Sequence, residues 1–310
     1  MGERIYELEP RGPYSLRLTF VGTEPAFPSI YDGRSLWRVV RTSSGVLVPL
    51  RVEQEGALEE PLLRVSVLSG RVSNDDVEEA LEALSWFLCV EDDLSTAYAR
   101  MEADPVLSPV LEHLRGMMPW TAFSPLEGIV DAIVFQQISL KVAFSLIRRF
   151  VEGLGERLEV GGRILYAFPR LEDILGADRD RLRALGLSKN KASYILGVAE
   201  AVERGLELES LRDKPLSEAL KALTALRGVG RWTAELFLAT GLKRWEVVPA
   251  DDLGVRRAFA RFYGLENPKG EQVREITSRW GEDAWPIAYY LLVASERMDR
   301  VLGAAEEDSF

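Results

Sequence analysis

The chain has one cysteine, Cys89, and one histidine, His113. A single thiol excludes a disulfide framework, a zinc cluster and a four-cysteine iron–sulfur site. A single imidazole excludes a catalytic network of histidines. Long apolar runs are also missing. Near the C-terminus the longest, Ala284 to Ala294, ends after 11 residues and contains two tyrosines, too short for a membrane span. The opening Met-Gly-Glu-Arg-Ile has no apolar core of the kind a secretion signal needs. An intracellular protein with no membrane contact is expected. Asn and Gln are scarce and arginine outnumbers lysine, a bias that fits a thermophile or a GC-rich genome.

Excess positive charge is lacking as well. With 38 Lys/Arg against 49 Asp/Glu the net charge is −11, which argues against a general nucleic-acid binder. The distribution weakens that objection. Between Gly186 and Gly264 there are 13 Lys/Arg and 10 Asp/Glu, so the sequence allows a locally basic face on an acidic chain.

Its 310 residues suffice for two or three small domains. The pattern predicts an α+β protein. Residues 1–91 read as an N-terminal antiparallel β-sheet domain with a helix. Apolar and polar residues alternate over Tyr14–Phe20, Leu36–Arg41, Val46–Val52 and Leu63–Leu68, and Gly/Asp/Ser clusters separate several of these runs. Asn74-Asp-Asp-Val-Glu-Glu-Ala-Leu then opens a helix with an acidic first turn. Residues 92–310 read as nearly all helix. Ser124-Pro125-Leu126-Glu127 is a capping-box start, and the helix is predicted to run through Ile129, Ile133, Gln136, Gln137 and Leu140. A helix pair follows over Leu171–Arg204, then a helix over Pro215–Leu226 that stops at Gly228-Val229-Gly230. The acidic tail Ala304–Phe310 is expected to fray.

Leu226-Arg-Gly-Val-Gly-Arg-Trp-Thr-Ala234 therefore lies between two helical patterns, giving a hairpin of about 216–241. Gly228 and Gly230 allow backbone conformations and close approaches that a side chain blocks. The first amides of the next helix carry its positive dipole and suit a phosphate. Arg231 and Thr233 add side-chain donors. Taken alone, this is also an ordinary tight turn between packed helices. About twenty residues on, Val247-Val-Pro-Ala-Asp-Asp-Leu-Gly-Val255 places two aspartates where another helix opens.

These two segments together resemble the helix-hairpin-helix, Gly/Pro-rich loop and aspartate of the DNA glycosylase superfamily. Within it the chain resembles the 3-methyladenine DNA glycosylase II (AlkA-type) branch. Ile129–Ser139, Phe168–Leu175 and Leu182–Ala192 fit that branch's helical segments, and Pro13-Tyr-Ser-Leu with the following sheet fits its extra domain. The resemblance is strongest over 124–262.

The resemblance implies two all-α subdomains after the sheet, with 92–123 and 265–310 packed together and 124–264 forming the other. It implies Asp252 as the catalytic carboxylate, directly before Leu-Gly-Val, with Asp251 the adjacent alternative. Relatives that also cleave the strand carry a nucleophilic lysine where this chain has Trp232, so a monofunctional hydrolase is expected. The DNA grip falls to Leu226, Gly228, Val229, Gly230, Arg231 and Thr233. The base pocket falls to Trp232, Trp285, Tyr289, Phe135 and Gln136, with Phe20 or Tyr14 as further walls. An electron-rich aromatic face favours a cationic, alkylated base. Gln137 and Ile138 are the wedge that fills the gap in the stack. Leu236 stands where the best-known members have tyrosine, which leaves base preference open. Hypoxanthine or 8-oxoguanine as the lesion, and a non-catalytic DNA-binding module, are the alternatives. No cofactor is required. No metal site is certain, although the family allows a monovalent cation at the hairpin carbonyls. The expected partner is double-stranded DNA containing a damaged base, bound by a monomer.

Overall fold

The computed structural model describes residues 3–22 and 24–307. The first two residues and the last three of the acidic tail lie outside the described residues. Among the described residues five strands form one antiparallel sheet. They are β1 (Arg4–Leu8), β2 (Ile30–Tyr31), β3 (Ser35–Arg41), β4 (Leu47–Gly56) and β5 (Pro61–Val67), in the order β1-β5-β4-β3-β2. Three of the four alternating runs become β3, β4 and β5; β1 and β2 were not foreseen. The period-2 pattern puts Val48, Leu50 and Val52 of β4 beside Leu63, Val65 and Val67 of β5 on one face, all fully buried. Arg38 lies opposite Leu50 and turns its guanidinium towards that same core.

The run Tyr14–Phe20 is helical instead, as α1 (Leu16–Gly22). Alternation over so few residues also sets Leu16 and Phe20 one helical turn apart. Both are buried, and Ser15 Oγ accepts from Leu18 N at 3.1 Å to start the helix. The acidic-start helix appears as α2 (Asn74–Phe87), capped by Ser73.

The remaining elements are α3 (Ser95–Ala103), α4 (Ser108–Leu114), α5 (Pro125–Phe135), α6 (Leu140–Leu154), β6 (Arg157–Val160), β7 (Arg163–Tyr166), α7 (Leu171–Leu175), α8 (Arg179–Ala184), α9 (Lys189–Glu203), α10 (Leu216–Thr224), α11 (Arg231–Gly241), α12 (Leu253–Tyr263), α13 (Gly270–Thr277) and α14 (Ala284–Glu307). The β6–β7 hairpin corrects the nearly all-helical reading. The capping box of α5 is half made. Ser124 Oγ accepts from Glu127 N at 3.2 Å, but the Glu127 carboxylate leaves the helix and meets Arg38 at 2.6 Å and 3.1 Å.

Two large apolar cores divide the molecule. The larger joins the sheet and α2–α4 to α12 and α14, through residues such as Leu36, Val65, Phe259 and Ile287. The other gathers α5–α11, through Ile133, Phe150, Ile195 and Phe237. The sheet therefore shares its core with C-terminal helices. From Val248 onward the buried apolar residues join the larger core, earlier than the expected 264, because α12 lays Val255, Ala258 and Phe259 into the core that α14 also lines. Among the described residues no helix is long and apolar enough to cross a membrane.

Candidate active site

The hairpin joins α10 to α11. Gly228 has φ +87°, and a Cβ there would fall 2.2 Å from the Tyr194 ring, so both backbone and packing demand glycine. Gly230 is different. Its φ is −84° and a Cβ would meet nothing within 4 Å. The space beside it is open, at the N-terminus of α11, where the first N–H groups have no partner in their own helix.

Of the side chains expected to grip DNA, Leu226, Val229 and Thr233 turn inward, whereas Arg231 is exposed. Val229 is buried and Leu226 packs on the same core. Thr233 is buried, and its hydroxyl accepts from Gln136 Nε2 at 2.9 Å. Arg231 Nε donates to buried Glu235 at 2.9 Å. Outward, the hairpin presents its backbone and the exposed side chains of Arg227 and Arg231.

α5 ends at Phe135, so the helix predicted to reach Leu140 is broken. Gln137 adopts φ +55° in an exposed turn, and α6 starts afterwards. The break is fastened from both sides. Gln136 Nε2 donates to Gly228 O at 2.8 Å, and buried Lys191 Nζ donates to Val134 O at 2.8 Å. Burial lowers the pKa of Lys191, and the carbonyls at the end of α5 suit its charge. Gln136 thus braces the hairpin from the cleft wall. The Gly228 carbonyl already carries this donor, so a cation at the hairpin would share that oxygen with the Gln136 amide.

The two aspartates are held differently. Asp251 pairs with Arg274, which also binds Glu235 through two contacts of 2.9 Å. Asp252 caps α12. Its Oδ1 accepts from Gly254 N at 2.8 Å and Val255 N at 3.1 Å, and its Oδ2 accepts from Trp232 Nε1 at 3.2 Å. The indole carried by α11 thereby reaches the first turn of α12.

Asp252 opens onto a cleft of about 1220 Å³ between the two cores. Trp232, Phe135, Gln136, Gln137, Ile138, Gly228, Gly230, Thr233, Trp285 and Tyr289 all line it. Trp285 and Tyr289 lie 5.5 Å apart, ring to ring, and Phe135 lies 5.8 Å from both Trp120 and Phe144. Trp120, Phe144, Arg257, Glu296 and Arg297 also line the cleft and were missed. Trp120, from the loop before α5, and Phe144, from α6, leave no shared spacing signal in the sequence. Tyr14 and Phe20 are not on the wall. Tyr14 is fully buried and Phe20 stacks on Phe87 at 5.9 Å, both in the core under the sheet. Cys89 is buried, and burial pushes its thiol up to about 11, which removes it as a nucleophile at neutral pH. His113 sits exposed on α4.

Residues 130–283 match the HhH-GPD superfamily of base excision DNA repair proteins. The alkylbase DNA glycosidase-like protein mag2 of Schizosaccharomyces pombe is 30% identical over 181 residues, covering 56% of this chain and 80% of that one. The chain belongs to the HhH-GPD superfamily. The DNA-3-methyladenine glycosylase of Bacillus subtilis is 28% identical over 216 residues, 69% of this chain and 71% of the relative. Among solved structures, the 3-methyladenine DNA glycosylase from Archaeoglobus fulgidus superposes with a TM-score of 0.83 and 30% identity, covering 94% of this chain and 99% of that one. The HhH-GPD span includes the hairpin and Asp252. It stops just before α14, so Trp285, Tyr289 and Glu296 are contributed from beyond it.

Proposed function

We propose that this HhH-GPD protein is a monofunctional DNA glycosylase. It hydrolyses the N-glycosidic bond of a flipped, alkylated purine of the 3-methyladenine type in duplex DNA and leaves an abasic site. The observation that carries the reading is Asp252, fixed by three N–H donors at the mouth of an aromatic cleft, with Trp232 as one of the donors.

The chemistry follows from that arrangement. As the base leaves, positive charge builds on the sugar, as in other glycoside hydrolyses. A carboxylate already oriented by backbone amides needs no reorganisation to stabilise that charge. A tryptophan at residue 232 cannot form a Schiff base, so the reaction ends at hydrolysis. The amides at Gly230 and the start of α11 hold a phosphate, and Gln137 with Ile138 fills the vacated place in the stack. Trp232, Trp285, Tyr289 and Phe135 wall the flipped base, and their π-faces favour the positive charge that alkylation creates. An alkylated base is also a good leaving group, so no strong general acid is needed, in keeping with a site that contains no histidine. The reading requires no cofactor and has a monomer acting on the duplex.

The test is a panel of duplexes, each with one lesion. Free methylated purine is expected from the alkylated duplexes, with strand breakage only after alkali. Breakage without alkali rules out the monofunctional reading. Preferential release of hypoxanthine or 8-oxoguanine moves the assignment to another lesion.

A further inference from the structure

A second carboxylate stands beside Asp252 at the first turn of α12. A Cβ built on Gly254 would lie 3.1 Å from Asp252 Oδ1 and 3.0 Å from Glu296 Oε1, so the two carboxylates border one point on the cleft wall. They are held very differently. A carboxylate offers about four lone pairs. On Asp252, Gly254 N, Val255 N and Trp232 Nε1 occupy three of them. Glu296 comes from α14, on the same helix as the wall residue Tyr289. The cation it faces is Arg257, at 3.8 Å, beyond hydrogen-bonding distance. The charged groups lining the cleft are Asp251, Asp252, Arg257, Glu296 and Arg297. Asp251 is tied to Arg274. Glu296 is therefore the carboxylate with oxygens open to the cleft.

We propose that Glu296 is the base of the hydrolytic step, holding a water between itself and Asp252 and taking its proton. This rests on the reading of Asp252 as the carboxylate beside the sugar. As the C1′–N bond breaks, its electron pair leaves with the base and C1′ becomes cationic next to Asp252. A lone pair of the water oxygen forms the C1′–O bond. The proton released from that oxygen passes to Glu296, which returns it to solvent. Asp252, fixed by its donors, supplies a stationary negative charge, while Glu296 has the freedom to accept and release a proton.

The test is single-turnover excision by Glu296→Gln on a duplex containing one 7-methylguanine, with methanol as competing nucleophile. Loss of a general base slows such steps by about a hundredfold. A loss of that order is expected, with unchanged affinity for a duplex carrying an abasic-site analogue. The share of methyl glycoside among the products is expected to rise, because the variant no longer holds water in place; a merely structural role does not move that share. Glu296→Asp, which keeps the charge but withdraws it, is expected to fall between wild type and Glu296→Gln in both readouts, and it carries the test if the glutamine variant does not fold. Wild-type excision, or slower excision with an unchanged product share, overturns the proposal. Asp252→Asn run in parallel separates the two claims. If it too excises at the wild-type rate, the reading of the cleft fails. If it alone is inactive, only the assignment of Glu296 fails.

Discussion

Arg38 and Arg274 each answer two carboxylates, one pair in the core and one at the cleft. Arg38 and Glu127 are each 3% exposed, and Asp131 beside them is 1% exposed with neither oxygen hydrogen-bonded among the described residues. Burial first, and the charge of Glu127 second, hold the Asp131 carboxyl well above the usual carboxylate range; Arg38 opposes them. At the cleft every carboxylate near Arg274 is bonded. Burial acts to lower the pKa of Arg274, but the hydrogen bonds it donates to Glu235 and Asp251 outweigh it and raise the value. The core cluster pins α5 to β3, at a distance of 89 residues in the chain. The cleft cluster draws Asp251 aside, so that of two adjacent aspartates only Asp252 faces Trp232. Partnering, more than residue type, separates a structural acid from a chemical one.

Four substitutions sharpen that contrast. Arg38→Met leaves Glu127 buried without its cation, which costs roughly 3–5 kcal/mol. Thermal unfolding is expected to drop by about 5–8 °C, while excision at 25 °C persists; an unchanged Tm removes the core cluster's structural role. Asp252→Asn is expected to cost roughly 3–4 kcal/mol of transition-state stabilisation, seen as near-complete loss of base release with folding and DNA affinity retained. Full activity in the purified variant breaks the assignment. Asp131→Asn acts in the opposite direction on stability. The folded state keeps a proton that the unfolded chain gives up near pH 4, so the stability Asp131 contributes is complete below about pH 4 and lost as pH rises towards its raised value. Asparagine has no proton to lose. The variant is expected to gain on wild type between about pH 4 and 7, by a few degrees in Tm at neutral pH. An equal Tm at every pH contradicts the raised pKa. Asp251→Asn, at a half-exposed ion pair, is expected to change stability by under about 1 kcal/mol and excision very little. Loss of activity there would make Asp251 the chemical acid.

The parts of the site that follow from backbone demands were legible in the sequence. Gly228 is needed for its positive φ and its contact with Tyr194, and Asp252 caps the helix it precedes; both needs leave a local signature. Needs met across the chain left none. Glu127 looked like a capping-box partner because nothing near it in sequence discloses Arg38. The break after Phe135 was hidden for another reason. Ile129, Ile133, Gln136 and Leu140 keep helical spacing, and the left-handed residue is Gln137, where no glycine or proline marks the turn. Ser139, which opens α6, was the one local cue. Glu296 was not singled out, because only the fold brings α14 to the first turn of α12.

The Gln136 fastening also has a mechanical side. A Cβ on Gly128 would come within 2.9 Å of the Gly241 Cα, so α5 and α11 touch almost backbone to backbone. With Gln136 bound to Gly228, the Gln137 turn and the hairpin are joined directly across the cleft wall. On the proposed reading, DNA that bends across this wall pays a cost that depends on how readily the steps around the lesion yield. The same lesion beside a pliable pyrimidine–purine step is expected to be excised faster than in a stiff A-tract. On that reading, damage is met first as softness in the double helix.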